Sequence, residues 1–152
     1  MSEENQQFAI QKIYLKDVSF ESPNSPQAFT NDEWQPQINV QINSSNQTVA
    51  DDTYEVVLNI TVTAKHEEKT AFLAEVKQAG VFTISGFPEE NLGGMIGAFC
   101  PETLFPFARE AVSELVSKGG FPQLLLAPVN FNALYAQQVQ QAAEQTEEET
   151  AH

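Results

Sequence analysis

One cysteine, two histidines and seven lysines plus arginines are all that this 152-residue chain holds of the residue types that make disulfides, most metal sites, general bases and phosphate contacts. A single thiol, Cys100, forms no internal disulfide and fits a reducing compartment, so the cytoplasm is the expected location. His66 falls in a charged turn and His152 is the last residue, so neither stands where a base would be held and oriented. A Ser/His/Asp or Cys/His relay is therefore not expected, and no catalytic residue is assigned. One cysteine with two distant histidines gives no tetrahedral metal set, and the carboxylate runs lack the glycine and spacing of a calcium loop. Neither a metal nor any other cofactor is expected.

Positive charge is scarce: against 21 Asp plus Glu, the net charge is −14. Phosphate backbones and anionic lipid repel such a chain, which argues against nucleic acid and membrane surfaces and for basic or mixed-charge polypeptide as partner. No window approaches the roughly 18 consecutive apolar residues of a membrane span. The N-terminal MSEENQQ lacks the positive start and apolar core of an export signal. An unexported chain with no membrane insertion is the expectation.

What the chain does have is phenylalanine, eleven of them, in a length that fits one domain with a real core. The expected organisation is a flexible N-terminus over 1–7, a single domain over 8–143 and a disordered acidic tail over 144–152.

Phe8–Phe20 reads as a strand with apolar residues on both faces, Phe8, Ile10, Tyr14, Val18 and Phe20 on one and Ile13 and Leu15 on the other. The proline-rich ESPNSPQAFTNDEWQP that follows makes a long crossing loop, with Trp34 near its end. Gln37–Asn43 alternates, with Ile38, Val40 and Ile42 to one side, as a half-buried antiparallel strand does. Tyr54–Ala64 alternates again, and a charged turn at 65–69 sends the chain back through Thr70–Ile84 as a hairpin. On that last strand Phe72, Ala74, Val76, Phe82 and Ile84 share one parity, while Leu73, Glu75 and Lys77 take the other.

A helix opens at Pro101 or Pro106 and runs to Lys118, with Glu102 in its first turn and Gly119 as its stop. Its apolar positions, from Leu104 and Phe105 to Leu115 and Val116, span more than one sheet contact requires, which predicts packing on two sides. Asn130 caps a second helix with a narrower stripe of Phe131, Leu134, Tyr135, Val139 and Ala142. Four strands followed by two helices is an α+β pattern with the helices on one face of an antiparallel sheet. The sheet then lacks a lid, and a homo-oligomer is the economical cover.

Two features stand outside this scheme. Glycines 93, 94 and 97 lie in NLGGMIGAF, but no Lys-Ser or Lys-Thr pair follows, so they suit close packing of a short helix rather than a phosphate loop. Between the helices, GGFPQLLLAPVNFNALY sets three leucines between prolines, where a connection is ordinarily polar. These residues either cap the core or are offered to a partner.

IYLKDVSFESPN (13–24), DDTYEVVLNITVTA (51–64), TAFLAEV (70–76), GAFCPETLFPFARE (97–110) and GGFPQLLLAPVNFNALY (119–135) together, in order and spacing, resemble the SecB family of bacterial export chaperones. The resemblance covers roughly 8–135. It implies a four-stranded antiparallel Greek-key sheet with two helices, assembled as a homotetramer, a dimer of dimers. It implies a function without catalysis or nucleotide: unfolded preproteins are held in apolar surface grooves and passed to the SecA motor. By motif position, Asp17, Glu21, Leu73 and Glu75 match the family surface that contacts SecA, including its basic, zinc-containing C-terminal tail. Trp34, Ile38, Val40, Ile42, Phe121, Leu124 and Leu126 fit the client groove, and each also suits plain core. A related holdase without SecA contact, or a ligand-binding domain that uses the groove as a pocket, are the competing readings.

Overall fold

The computed structural model of the protein describes residues 5–30 and 33–151, with side chains as far as residue 146. Most of the expected flexible N-terminus, residues 1–4, lies outside the described residues, and Gln7 already begins the first strand. Strands β1 (Gln7–Glu21), β2 (Gln37–Ala50), β3 (Thr53–His66) and β4 (Lys69–Ser85) are followed by helix α1 (Glu89–Gly94), a π-helical stretch (Met95–Phe99), α2 (Cys100–Lys118) and α3 (Phe131–Ala151).

The sheet is antiparallel in the order β1-β4-β3-β2. Three strands joined by tight hairpins, with the remaining one returned by a long connection to the far edge, make a Greek key. The β3–β4 turn consists of Glu67 and Glu68, both at positive φ (53° and 65°) between the paired His66 and Lys69. That is the geometry whose twist suits a two-residue hairpin, here achieved without glycine.

β2 continues seven residues beyond the expected end at Asn43, through Ser44–Ala50, because its ladder with β3 runs on to the Asp51–Asp52 turn. Register, not alternation, decides that end.

β1 departs further from its pattern. Register shifts lie between Ile10 and Lys12 and between Leu15 and Asp17. Each bulge inserts a residue and reverses the parity beyond it. Phe8, Ile10, Ile13, Leu15, Val18 and Phe20 thereby oppose Ile84, Phe82, Gly80, Gln78, Val76 and Ala74, all on one face of the sheet. The expectation of two apolar faces is corrected: only Tyr14 among these residues points the other way, where it bonds to Glu55.

The shared face carries the core. Val56, Leu58, Ile60 and Val62 of β3 and Phe72, Ala74, Val76, Phe82 and Ile84 of β4 are buried against Cys100, Leu104, Phe105, Ala108, Val112 and Val116 of α2. Within this chain α2 covers one side, and Phe107 on its far side stays about half exposed. The Asn130 Oδ1 accepts the Ala133 N–H at 3.0 Å, which is the expected cap of α3. α3 then continues to Ala151, through the segment expected to be disordered from 144. Alanine, glutamine and glutamate favour helix, and no proline or glycine interrupts them.

The opposite face is more polar, around buried Val57 and Ala79, and among the described residues Glu55 is its one buried charge. Glu55 accepts hydrogen bonds from the Tyr14 hydroxyl, from Lys16 Nζ at 2.7 Å and from Gln47 Nε2 at 3.0 Å. The Lys16 bond, then the Tyr14 bond, holds the Glu55 carboxyl below its ordinary pKa. Desolvation and the bond to Glu55 push the Tyr14 phenol up to about 12.

A carboxylate with a depressed folded-state pKa stabilises fully above its unfolded value, and that contribution falls as pH drops through the folded value. Glu55→Ala should cost about 1–3 kcal/mol at neutral pH. Urea unfolding should show the gap to the parent protein narrowing below about pH 4.5, near the free glutamate pKa. A gap independent of pH would show that the carboxylate charge contributes nothing.

Candidate functional site

Two adjacent glycines end α2 and turn the chain inward. Gly119 N–H donates to the Leu115 carbonyl and Phe121 N–H to that of Val116. Gly120 has φ +89°, a conformation that side chains disfavour, and a Cβ on Gly119 would lie 2.2 Å from the Phe20 ring. The result drops Phe121, only 6% exposed, among four aromatic rings. Centroid distances are 5.0 Å to Phe29, 5.0 Å to Phe72, 5.4 Å to Trp34 and 6.4 Å to Phe20.

The crossing loop supplies two of these rings. A 3₁₀ turn at Gln27–Phe29 lays Phe29 on Phe121, and Asn24 Nδ2 donates to the Thr70 carbonyl at 2.8 Å, tying the loop to the start of β4. Trp34 rests on Phe121 and also on His66 at the end of β3, 5.5 Å between centroids. Beside them a cleft of about 290 Å³ is lined by loop and hairpin residues, including Asn24, Gln27, His66 and Lys69.

From His66 the surface continues along the sheet edge. Ile38, Val40 and Ile42 of β2 pair with Ala64, Val62 and Ile60, so they lie in a row on the helix-bearing face. Ile38 and Val40 are 39% and 38% exposed, while Ile42 is half-buried. Trp34, half-buried, continues this row, and together they form one apolar strip. The interhelix leucines divide. Leu124 is half-buried, Leu126 is 8% exposed, and Leu125, one of the three leucines left open between core and partner but outside the groove assignment, is 68% exposed. Phe121 and Leu126 are thus floor and core, not open surface. Phe29 is the exposed residue that no sequence signal singled out, and Leu125 is the exposed one left outside the groove assignment. The alternation of an extended chain carried the signal for Leu125, since inward Leu124 and Leu126 leave it outward.

Asp17, Glu21, Leu73 and Glu75 come together on the opposite, polar face. Glu21 pairs with Leu73, Ser19 with Glu75 and Asp17 with Lys77 across the β1–β4 ladder, so all four face the same way on neighbouring strands. Lys77 Nζ lies 4.0 Å from Glu75 Oε1, a surface ion pair of the kind worth about 0–1 kcal/mol. An acidic patch around a half-buried leucine results. Among the described residues no group of three or more His, Cys, Asp or Glu stands together as a metal site, and no helix is long and apolar enough to cross a membrane.

The family described as preprotein translocase subunit SecB matches residues 1–142. The chain is 58% identical to the protein-export protein SecB of Methylococcus capsulatus, covering 100% of both chains. It is 61% identical to that of Nitrosococcus oceani, over 92% of this chain and 87% of the relative. Among solved structures, a SecB-like chaperone of Mycobacterium tuberculosis, in complex with a ChAD peptide from the HigA1 antitoxin, superposes with a TM-score of 0.66 at 16% identity. That match covers 80% of this chain and 90% of the other and shows a shared fold.

Phe121→Ala should unfasten the cluster, at a cost of about 3–5 kcal/mol for a buried phenylalanine. Trp34 is the one tryptophan of the chain, so its fluorescence should shift to longer wavelength at unchanged sheet content by circular dichroism. An unshifted spectrum would mean that Trp34 is held by other contacts.

Proposed function

The chain belongs to the SecB family, and from that premise we propose that it is an ATP-independent chaperone. It holds unfolded preproteins on its apolar strip, keeps them competent for translocation and delivers them to SecA. The observation that carries the reading is the strip itself: Ile38, Val40 and Leu125 exposed and Trp34 half-buried, beside a buried floor of Phe121 and Leu126.

Apolar burial is non-directional and worth roughly 25 cal/mol per Å², so such a strip accepts many sequences without demanding one. A folded protein cannot lay an extended apolar segment along it, and selectivity for non-native chains follows. We place the protein in the cytoplasm as a homotetramer, a dimer of dimers, in which several strips act on one long client. Avidity then exceeds single-site affinity by about 10²–10⁴. Four copies at −14 each sum to −56 formal charges, which keeps an assembly with apolar strips soluble and favours basic client segments.

In this reading Asp17, Glu21, Leu73 and Glu75 dock SecA, including its basic, zinc-containing C-terminal tail. The patch opposes positive charge with carboxylates and offers Leu73 as an apolar anchor. It lies on the face away from the client strip, so one protomer engages client and motor together.

Glu75→Lys and Asp17→Lys test the assignment. Each reverses a charge on the polar face without touching the strip, and SecA affinity should fall at least tenfold, about 1.4 kcal/mol, while suppression of aggregation of an unfolded protein persists. Unchanged SecA affinity with intact holding would instead favour a general holdase that serves clients without the motor.

A further inference from the structure

α3 is fastened to the rest of the protein by very few side chains. Phe131 is buried and Leu134 and Tyr135 are half-buried, whereas residues 136–146 are exposed, Val139 included. Tyr135 lies on Gly93 and Gly97, which stand four residues apart on one side of α1 and the π-helical stretch. A Cβ at Gly97 would sit 2.4 Å from Cδ1 and 2.5 Å from Cε1 of the ring, and a Cβ at Gly93 would sit 2.6 Å from the hydroxyl oxygen. The ring occupies the room of one missing methyl and the hydroxyl that of another. Gly94, between them, has nothing within 4 Å of the same construction, so the fit is specific to two of the three glycines.

What α3 closes over is the continuation of the apolar strip. Its residues Phe131, Leu134 and Tyr135 share a crevice with Ile42 and Leu58, next in line after Ile38 and Val40 on the same face. We propose that Tyr135, seated in the notch of Gly93 and Gly97, is a positioning residue that clasps α3 over the Ile42 end of the strip, and so sets how long a client segment the strip takes. This rests on the chaperone reading for its consequence, but not for the clasp.

The clasp is tested without client. Gly97→Ala should raise amide hydrogen exchange across residues 131–138 at least tenfold, with β3, β4 and α2 unchanged. Gly94→Ala makes the same gain in helix propensity and should leave exchange as it was. Gly93→Ala should also loosen α3, and Tyr135→Phe, which removes the hydroxyl, should restore it in the double variant. Tyr135→Ala loosens α3 with no added bulk, which covers the case where an alanine in the notch disturbs folding. Equal behaviour of Gly97→Ala and Gly94→Ala, or no rescue of Gly93→Ala by Tyr135→Phe, would overturn the clasp.

The consequence is read with a reduced, carboxymethylated test protein as client. It should protect Ile42 and Leu58 from exchange in the Tyr135→Ala protein and leave them unchanged in the parent. A released α3 with no added protection would overturn the role in client length. No binding to the parent protein at all would refute the chaperone reading and leave the clasp standing.

Discussion

One helix is too narrow for a four-stranded sheet. The outer strand axes of such a sheet lie about 14 Å apart, and a helix with its side chains is about 10–12 Å across. α2 therefore settles on β3 and β4, where its buried side chains meet theirs, and both edges of the same face are left short of cover. Ile38 and Val40 stand exposed on β2, and Ile10, Leu15 and Val18 on β1. A lone globular domain would make those positions polar, because extended apolar surface invites association. Their exposure on the helix-bearing face is what the proposed chaperone role draws on.

The remaining parts follow from how that edge is finished. The Gly119–Gly120 turn anchors the interhelix segment through Phe121, which holds Trp34 half-buried and leaves Leu125 exposed. The opposite face is built by other rules. Tyr14, Lys16 and Gln47 satisfy Glu55, and Asp17, Glu21 and Glu75 surround Leu73 with acid. Exposed apolar side chains and acidic ones are thus separated by the thickness of one sheet.

Much of this was legible from residues alone where alternation is regular. The parity of β3 and β4, the outward position of Leu73, the Asn130 cap and the packing role of Gly93 and Gly97 follow from pattern and residue type, whereas Gly94, expected to pack with them, has open space beside it. Other features leave no such trace. The two bulges of β1 are set by pairing with β4, so its apolar residues seemed to need cover on both faces when they share one. Ser44–Ala50 lacks alternation and is held as strand by β3. The pairs Asp17/Glu21 and Leu73/Glu75 are readable separately, but their adjacency depends on β1 lying beside β4, a long-range pairing that only the family resemblance supplied. Phe121 and Leu126 suited groove and core alike, because apolar loop residues carry no mark of depth.

Whether the uncovered edge of β2 grips unfolded chains is best measured on a variant with Ile38→Asn and Val40→Asn, both at exposed positions where the fold should tolerate polarity. Light scattering would report the mass of parent and variant with and without a reduced, unfolded protein, in the absence of nucleotide. The expected result is a stable complex with the parent, and affinity at least tenfold weaker in a variant of unchanged circular dichroism and assembly mass. Equal binding by the two would contradict it and place client contact elsewhere on the molecule.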